Sequence, residues 1–140
     1  MSNFFSDLAF GKSFETYAME MLGKECTPAP VGRFKPYDFI SDKIKYEVKS
    51  DKITYKTGNL FIEYECSNLP SGILTSEAQM LFYFVINSEG KPDRIYLIET
   101  GFLKTLIASS DFKCVSGGDG YRVKGHLIPE QLLKNYLICW

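Results

Sequence analysis

The stretch DFISDKIKYEVKSD, Asp38 to Asp51, sets two carboxylates and a lysine on two short apolar runs. Strand side chains alternate between faces, so Glu47 and Lys49, two positions apart, point the same way. Asp38 lies on the preceding run and meets them if the two runs pair. Two carboxylates on adjacent strands can hold Mg²⁺, which takes oxygen ligands in octahedral geometry and keeps several waters. Such an ion neutralises a phosphate and activates a bound water, the two requirements of phosphodiester hydrolysis. A lysine beside it orients the water or offsets developing negative charge. The same residues also suit a solvated strand face, with Lys45, Glu47 and Lys49 in cross-strand pairs.

The elements that position these residues follow from periodicity. Phe10, Phe14, Tyr17, Ala18 and Met21 recur at helical spacing, which predicts an amphipathic helix from about Phe4 to Lys24, ended near Gly23. The prolines of TPAPVG, Thr27 to Gly32, mark a loop. Three strands are expected next: Tyr37–Ser41, Lys43–Ser50 and Asn59–Cys66. The second alternates strictly, with Ile44, Tyr46 and Val48 on one face and Lys45, Glu47 and Lys49 on the other. The third sets Leu60, Ile62 and Tyr64 against Phe61, Glu63 and Glu65. Thr75 or Ser76 is placed to cap a short helix near Glu77. Leu81–Ile86 reads as a strand buried on both faces, and Arg94–Glu99 as another. Gly101–Ala108 reads as a helix. SGGDG, Ser116 to Gly120, joins two strands as a hairpin, with Asp119 as a turn residue. Pro129 opens a last helix to about Tyr136. The fold class expected is α/β with a central mixed sheet.

The chain has 140 residues, of which 45% are hydrophobic and 15% aromatic, which fits one folded domain spanning residues 1–140 and argues against disorder. The net charge of −1 excludes a bulk-basic nucleic-acid binder, so contact with a polyanion must come from a local patch. Arg33, Lys35, Lys43, Lys45, Lys52 and Lys56 form such a patch around the candidate site. The same lysines also suit a hairpin fringed for solubility. In the C-terminal hairpin Arg122, Lys124 and His126 alternate onto one face, as a second phosphate contact or a guarded edge. Four cysteines, Cys26, Cys66, Cys114 and Cys139, show no two-residue spacing, and the one histidine, His126, is near no cysteine in sequence; a zinc site is not expected. Reduced thiols in a cytoplasmic protein are expected. No signal peptide is read at the start, and no apolar run is long enough to span a membrane.

PYDF at Pro36 to Phe39, followed by YEVKSD at Tyr46 to Asp51, resembles the PD-(D/E)XK nuclease superfamily. That superfamily sets an aspartate on one strand of a hairpin and Glu-x-Lys on the next, which Asp38, Glu47 and Lys49 match residue by residue. Tyr37, between the proline and the aspartate, is a departure. Many members carry a glutamate on the helix that opens the core, and Glu15 in GKSFETYA is placed like it, with small Gly11 and Ala18 beside it. TGNLFIEYE, Thr57 to Glu65, looks like the strand after the catalytic lysine in phage-type members, with Glu63 favoured over Glu65 as an extra carboxylate. SGILTSEAQMLFY, Ser71 to Tyr83, resembles the helix packed behind the site, whose N-terminus at Thr75 and Ser76 seats a phosphate. Gln79 and Tyr83 resemble the Gln-x-x-x-Tyr element of RecB-like members if that helix extends.

The resemblance covers most of residues 10 to 85. It implies a restriction-endonuclease-like central mixed sheet flanked by helices, with the C-terminal hairpin and helix added. It implies a Mg²⁺-dependent DNA endonuclease, Mn²⁺ substituting, that hydrolyses phosphodiester bonds with shape-dependent or weak sequence preference, as phage-type or Holliday-junction-resolving members do. Asp38 and Glu47, assisted by Glu15, are the implied metal ligands, with Lys49 at the attacking water and Glu63 assisting. Lys35, Lys45, Lys52, Lys56, Thr75 and Ser76 are the implied DNA contacts. A homodimer and a phage-encoded protein in a bacterial host are compatible with it. The alternatives are a catalytically inactive nuclease-fold DNA-binding or assembly module, and a protein-interaction domain using its aromatic residues.

Overall fold

A computed structural model describes residues 13–32, 35–117 and 122–139. Phe10, Gly11 and the first turns of the expected opening helix lie outside the described residues, as do Arg33 and Asp119. The described part of that helix, α1, runs Phe14–Leu22. Ser13 caps its start, its Oγ accepting from the Thr16 amide at 3.1 Å. Gly23 ends it with φ 64, the left-handed conformation a helix C-terminus favours. Tyr17 and Ala18 are its buried face.

A β-hairpin follows. Strand β1, Thr27–Pro28, pairs with β2, Phe39–Ser41, and β2 pairs antiparallel with β3, Ile44–Asp51. Asp42 and Lys43, at φ 50 and 67, make the two-residue turn between β2 and β3. Positive φ at both central positions matches the right-handed twist of the flanking strands. Phe39 stands opposite Tyr46 in this register. Their rings stack at 4.9 Å between centroids, 10° from parallel.

The larger sheet is mixed and six-stranded; with β6 at Met80–Ile86, β7 at Pro92–Glu99 and β10 at Leu137–Cys139, its order is β1-β2-β3-β6-β7-β10. Strand β6, Met80–Ile86, lies parallel to β3, with Glu47 opposite Leu81 and Lys49 opposite Tyr83. It is apolar throughout because both faces are covered. Phe82, Phe84 and Ile86 pack toward α1 with Tyr17, Ala18 and Phe39. Leu81, Tyr83 and Val85 pack on the other face with Leu60, Ile62, Ile128 and Leu103. Strand β7 is Pro92–Glu99, antiparallel to β6.

Parallel strands need a crossover. Between β3 and β6 it is built from a one-turn helix α2, Thr54–Thr57, strand β4, Asn59–Cys66, strand β5, Leu69–Pro70, and a 3-10 turn at Gly72–Leu74. The short helix expected after Thr75 or Ser76 is therefore absent, and so is the helix that would have put Gln79 and Tyr83 one turn apart. Long-range bonding explains the difference. The Glu77 amide donates to the Pro36 carbonyl at 2.8 Å, and the Gln79 amide to the Lys45 carbonyl at 2.8 Å. The Lys45 amide in turn donates to Gln79 Oε1 at 3.0 Å. These bonds tie Glu77 and Gln79 to the segment from Pro36 to Lys45, and the chain enters β6 extended.

The second sheet is antiparallel, in the order β5-β4-β9-β8, with β8 at Cys114–Gly117 and β9 at Val123–Pro129. Helix α3, Thr100–Ser109, precedes it and buries Leu103. The larger sheet thus carries α1 on one face and the smaller sheet with α3 on the other. This confirms a mixed α/β architecture, with a sheet covering much of the face where the sequence suggested helices. The expected last helix is a 3-10 segment, Glu130–Tyr136, tied to β7 by Glu130, which accepts from Arg94 Nε at 2.7 Å and from the Tyr96 hydroxyl at 2.6 Å. A strand that the sequence did not announce, β10 at Leu137–Cys139, then pairs with β7. Among the described residues no helix is long and apolar enough to cross a membrane.

Phe39 is fully buried in this arrangement. Phe39→Ala is expected to cost about 3–5 kcal/mol of stability in urea denaturation. An unchanged midpoint would place the Phe39–Tyr46 stack outside the core.

Candidate functional site

The β2–β3 register decides where the acids go. The β2–β3 ladder ends at the Phe39–Tyr46 pair, and Asp38, just before β2, donates its amide to the Tyr46 carbonyl at 2.8 Å. Phe39 and Tyr46 pack with α1, so Glu47, the next residue on β3, faces the other way. Asp38 Oδ2 accepts from the Val48 amide at 2.7 Å, which fixes the carboxylate against β3. Lys49 Nζ lies 3.8 Å from Glu47 Oε1. The face Lys45, Glu47, Lys49 forms as expected. Lys35 Nζ sits 3.5 Å from Glu15 Oε1 and 3.8 Å from Asp38 Oδ1, joining the helix acid to the strand acid.

Glu47 is the electrostatic centre of this group. Burial pushes its carboxyl above the ordinary value, and the like charges of Asp38 and Glu63 add to the rise. Lys49 and the Ser76 hydroxyl pull the other way. Glu15 is also raised, by burial first and then by Asp38 beside it, against the pull of Lys35. Among the described residues, the carboxylates of Glu15, Asp38, Glu47 and Glu63 gather here with the ammonium groups of Lys35 and Lys49.

Glu63 reaches the site by a route that sequence alternation alone misjudges. Glu63 pairs with Gly125 and Glu65 with Lys124, so a bulge falls between them. Gly125 and Lys124 are consecutive on β9 and face opposite ways, and the bulge turns Glu65 away from the face of Glu63. Glu65 is ion-paired with Lys124 at 3.2 Å instead. Glu63 Oε2 accepts from the Ser71 hydroxyl at 2.7 Å. Gly72, at φ 54, lets that turn close on β4; a Cβ there would lie 2.2 Å from the Glu63 carbonyl oxygen.

Glu47, Lys49, Glu63 and Ser76 all line one cavity of about 550 Å³ between the two sheets. Asp51 and Tyr83 line it too; the sequence suggested no role for Asp51, and for Tyr83 only one with Gln79 on a helix that does not form. The Tyr83 hydroxyl donates to Asp51 Oδ2 at 2.8 Å and accepts from the Phe61 amide at 3.0 Å, with Thr54 Oγ1 at 3.1 Å. Burial, then the Asp51 charge, pushes this phenol well above its ordinary value, so it stays protonated. The signal for Asp51 was present in the sequence, because the alternation of Lys45, Glu47 and Lys49 continues to it.

The remaining expected contacts are dispersed. Lys45 is held by Glu77 at 3.3 Å and lies 5.1 Å from the centre of the Tyr37 ring. Lys52 and Lys56 line a separate hollow of about 220 Å³ with Asn87 and Gly90. Thr75 is exposed, its hydroxyl bonded to the Gly72 carbonyl at 3.4 Å, and no helix N-terminus exists there to seat a phosphate. Ser76 keeps a place at the site through Glu47. Arg122, Lys124 and His126 do not line the cavity, and β9 is an interior strand rather than a guarded edge. His126 Nδ1 is 3.4 Å from Cys114 Sγ, a proximity hidden by their separation in sequence.

The donor set around Glu47 is made of oxygens, which suits a hard cation such as Mg²⁺ or Mn²⁺ and not zinc. Among the described residues no group of three His, Cys, Asp or Glu side chains is arranged to hold a metal ion. The residues that would hold such an ion are Asp38 and Glu47, which could offer two carboxylates and would leave the other positions to water. No protein-family model, curated protein or solved structure matches the chain.

The raised Glu47 carboxyl has a direct consequence for stability. Folding favours its protonated form, so its contribution is full below the ordinary value of 4.5 and is lost as pH rises through the raised folded value. Ionised Glu47 is a cost at neutral pH. Glu47→Gln is expected to melt at higher temperature than the parent at neutral pH, the difference shrinking toward pH 4.5. A variant less stable than the parent at neutral pH would contradict this.

Proposed function

We propose that the chain is a divalent-cation-dependent DNA endonuclease with a PD-(D/E)XK-type site on a restriction-endonuclease-like core. The observation that carries the reading is the gathering of Asp38, Glu47 and Lys49: Asp38 Oδ2 is bonded to the Val48 amide at 2.7 Å, between the other two in sequence, and Lys49 Nζ lies 3.8 Å from Glu47 Oε1. A helix against the opposite face, the β2–β3 hairpin and β6 parallel to β3 support it.

In this reading Asp38 and Glu47 hold the cation. When bound, the ion neutralises phosphate charge and makes a coordinated water more acidic. Lys49, half-exposed beside Glu47, orients the attacking water and offsets negative charge on the phosphate in the transition state. The water oxygen forms a bond to phosphorus as the bond to the 3′ oxygen breaks; the attacking water gives up a proton to solvent, and the departing 3′ oxygen takes one from solvent. Lys35 holds Glu15 and Asp38 together, which limits their mutual repulsion until the cation arrives. Ser71 orients Glu63 at the rim. Lys35 and Lys45 lend local positive charge to a chain whose net charge is −1.

Lys35 also favours a second reading, a DNA-binding module without activity, because its ammonium already supplies part of the counter-charge that a metal would supply.

Incubation of supercoiled, linear, single-stranded and four-way-junction DNA with and without Mg²⁺ separates the two. The enzyme cuts at least one form only with Mg²⁺. Lys49→Ala is expected to lower cutting by about a hundredfold or more while DNA affinity falls by less than about tenfold. Cutting by Lys49→Ala at the parent rate would remove Lys49 from the mechanism. Salt-sensitive binding without cutting would favour the inactive module.

A further inference from the structure

We propose that the cavity beside Glu47 and Lys49 receives one unstacked nucleobase of the bound strand, making DNA with an unpaired nucleotide the preferred substrate class. This deepens the nuclease reading and rests on it. At about 550 Å³ the space is within the range of small-ligand sites, enough for one nucleotide and far too small for a duplex. Its walls include Ile73, Leu81, Leu103, Val115, Val123 and Leu127, which suit a neutral, flat, apolar occupant.

Charge sets the orientation of that occupant. Among the described lining residues Lys49 is the one cation, while Glu47, Asp51 and Glu63 are acids. A phosphate is therefore excluded from the interior and held at the Lys49 side, where the proposed chemistry occurs. The base attached to it points inward. Asn59 and Thr57, also in the wall, offer donors and acceptors to a base edge.

Phe61 supplies the stacking surface. A Cβ on Gly125 would lie 2.5, 2.7 and 2.8 Å from three consecutive atoms at the tip of the Phe61 ring. Distances this nearly equal place that point over the ring face rather than beyond its edge. Gly117 touches the tip of the same ring, a Cβ there being 3.8 Å from two of its atoms. Phe61 thus lies flat over Gly125 while also lining the cavity and staying partly exposed. Glycine at position 125 is what leaves room for the ring in this pose. An aromatic face beside a phosphate-binding lysine is how single-stranded nucleic acid is commonly gripped. A paired base reaches such a pocket only after leaving the stack.

The test is metal-free binding, in EDTA, of two short duplexes. One carries a central unpaired fluorescent adenine analogue; in the other the same base is paired. The unpaired form is expected to bind about tenfold tighter, with a change in analogue fluorescence. Phe61→Ala is expected to bring the ratio near one. Val115→Trp, which fills the cavity from β8, is expected to do the same, with melting temperature confirming that each variant folds. Equal affinity of the parent for both duplexes overturns the proposal, as does an undiminished preference in whichever variants fold. The nuclease reading fails separately: a preference for the unpaired base with no cutting of any DNA form in Mg²⁺ upholds the pocket and removes the activity.

Discussion

The antiparallel register that stacks Phe39 on Tyr46 is what turns Glu47 and Lys49 to the face away from α1, with Asp38 held beside them by the Val48 amide. A slip of one residue would send Glu47 and Lys49 into the α1 core and leave Asp38 without a partner. The aromatic stack and the surrounding burial of Phe82 and Phe84 hold the register against that slip. Repulsion between the two carboxylates works against it. The Val48 amide bonded to Asp38 and the ammonium groups of Lys35 and Lys49 offset part of that repulsion. Burial raises the Glu47 carboxyl, and the Asp38 charge adds to that rise. Such tension between stability and a charged site is common where side chains are arranged for function.

Parallel pairing of β3 with β6 is the second constraint. It forces the chain to leave the larger sheet after Asp51 and return at Met80, and the excursion builds β4 and the turn at Gly72. That detour faces Glu47 and Lys49 with a second wall. Tyr83 ties the wall down, because its hydroxyl joins Asp51 of β3 to the Phe61 amide of β4. The candidate site and the adjoining cavity are therefore products of one crossover.

Much of this was legible in the residues. Period-two alternation gave β3 and the face bearing Glu47 and Lys49, and the bounds of β4 at Asn59–Cys66 were read as they stand. The uninterrupted apolar run of β6 announced burial on both faces, and Gly23 marked the end of α1. What escaped depended on partners distant in sequence. Thr75 to Gln79 carry helix-like signals, but hydrogen bonds to Pro36 and Lys45 draw them straight. The bulge that separates Glu63 from Glu65 is set by pairing with β9, and alternation within β4 alone predicts the opposite. Three residues at the end of the chain, Leu137–Cys139, are too few to show a period, and they form a strand because the edge of β7 accepts them.

The most direct measurement is a crystal soaked in Mn²⁺ and recorded at a wavelength where manganese scatters anomalously. The account predicts a peak within bonding distance of one oxygen each from Asp38 and Glu47, with Lys49 Nζ beyond coordination range but within reach of a bound water. No peak between those carboxylates at saturating Mn²⁺, or one held only by acids elsewhere on the surface, would contradict it.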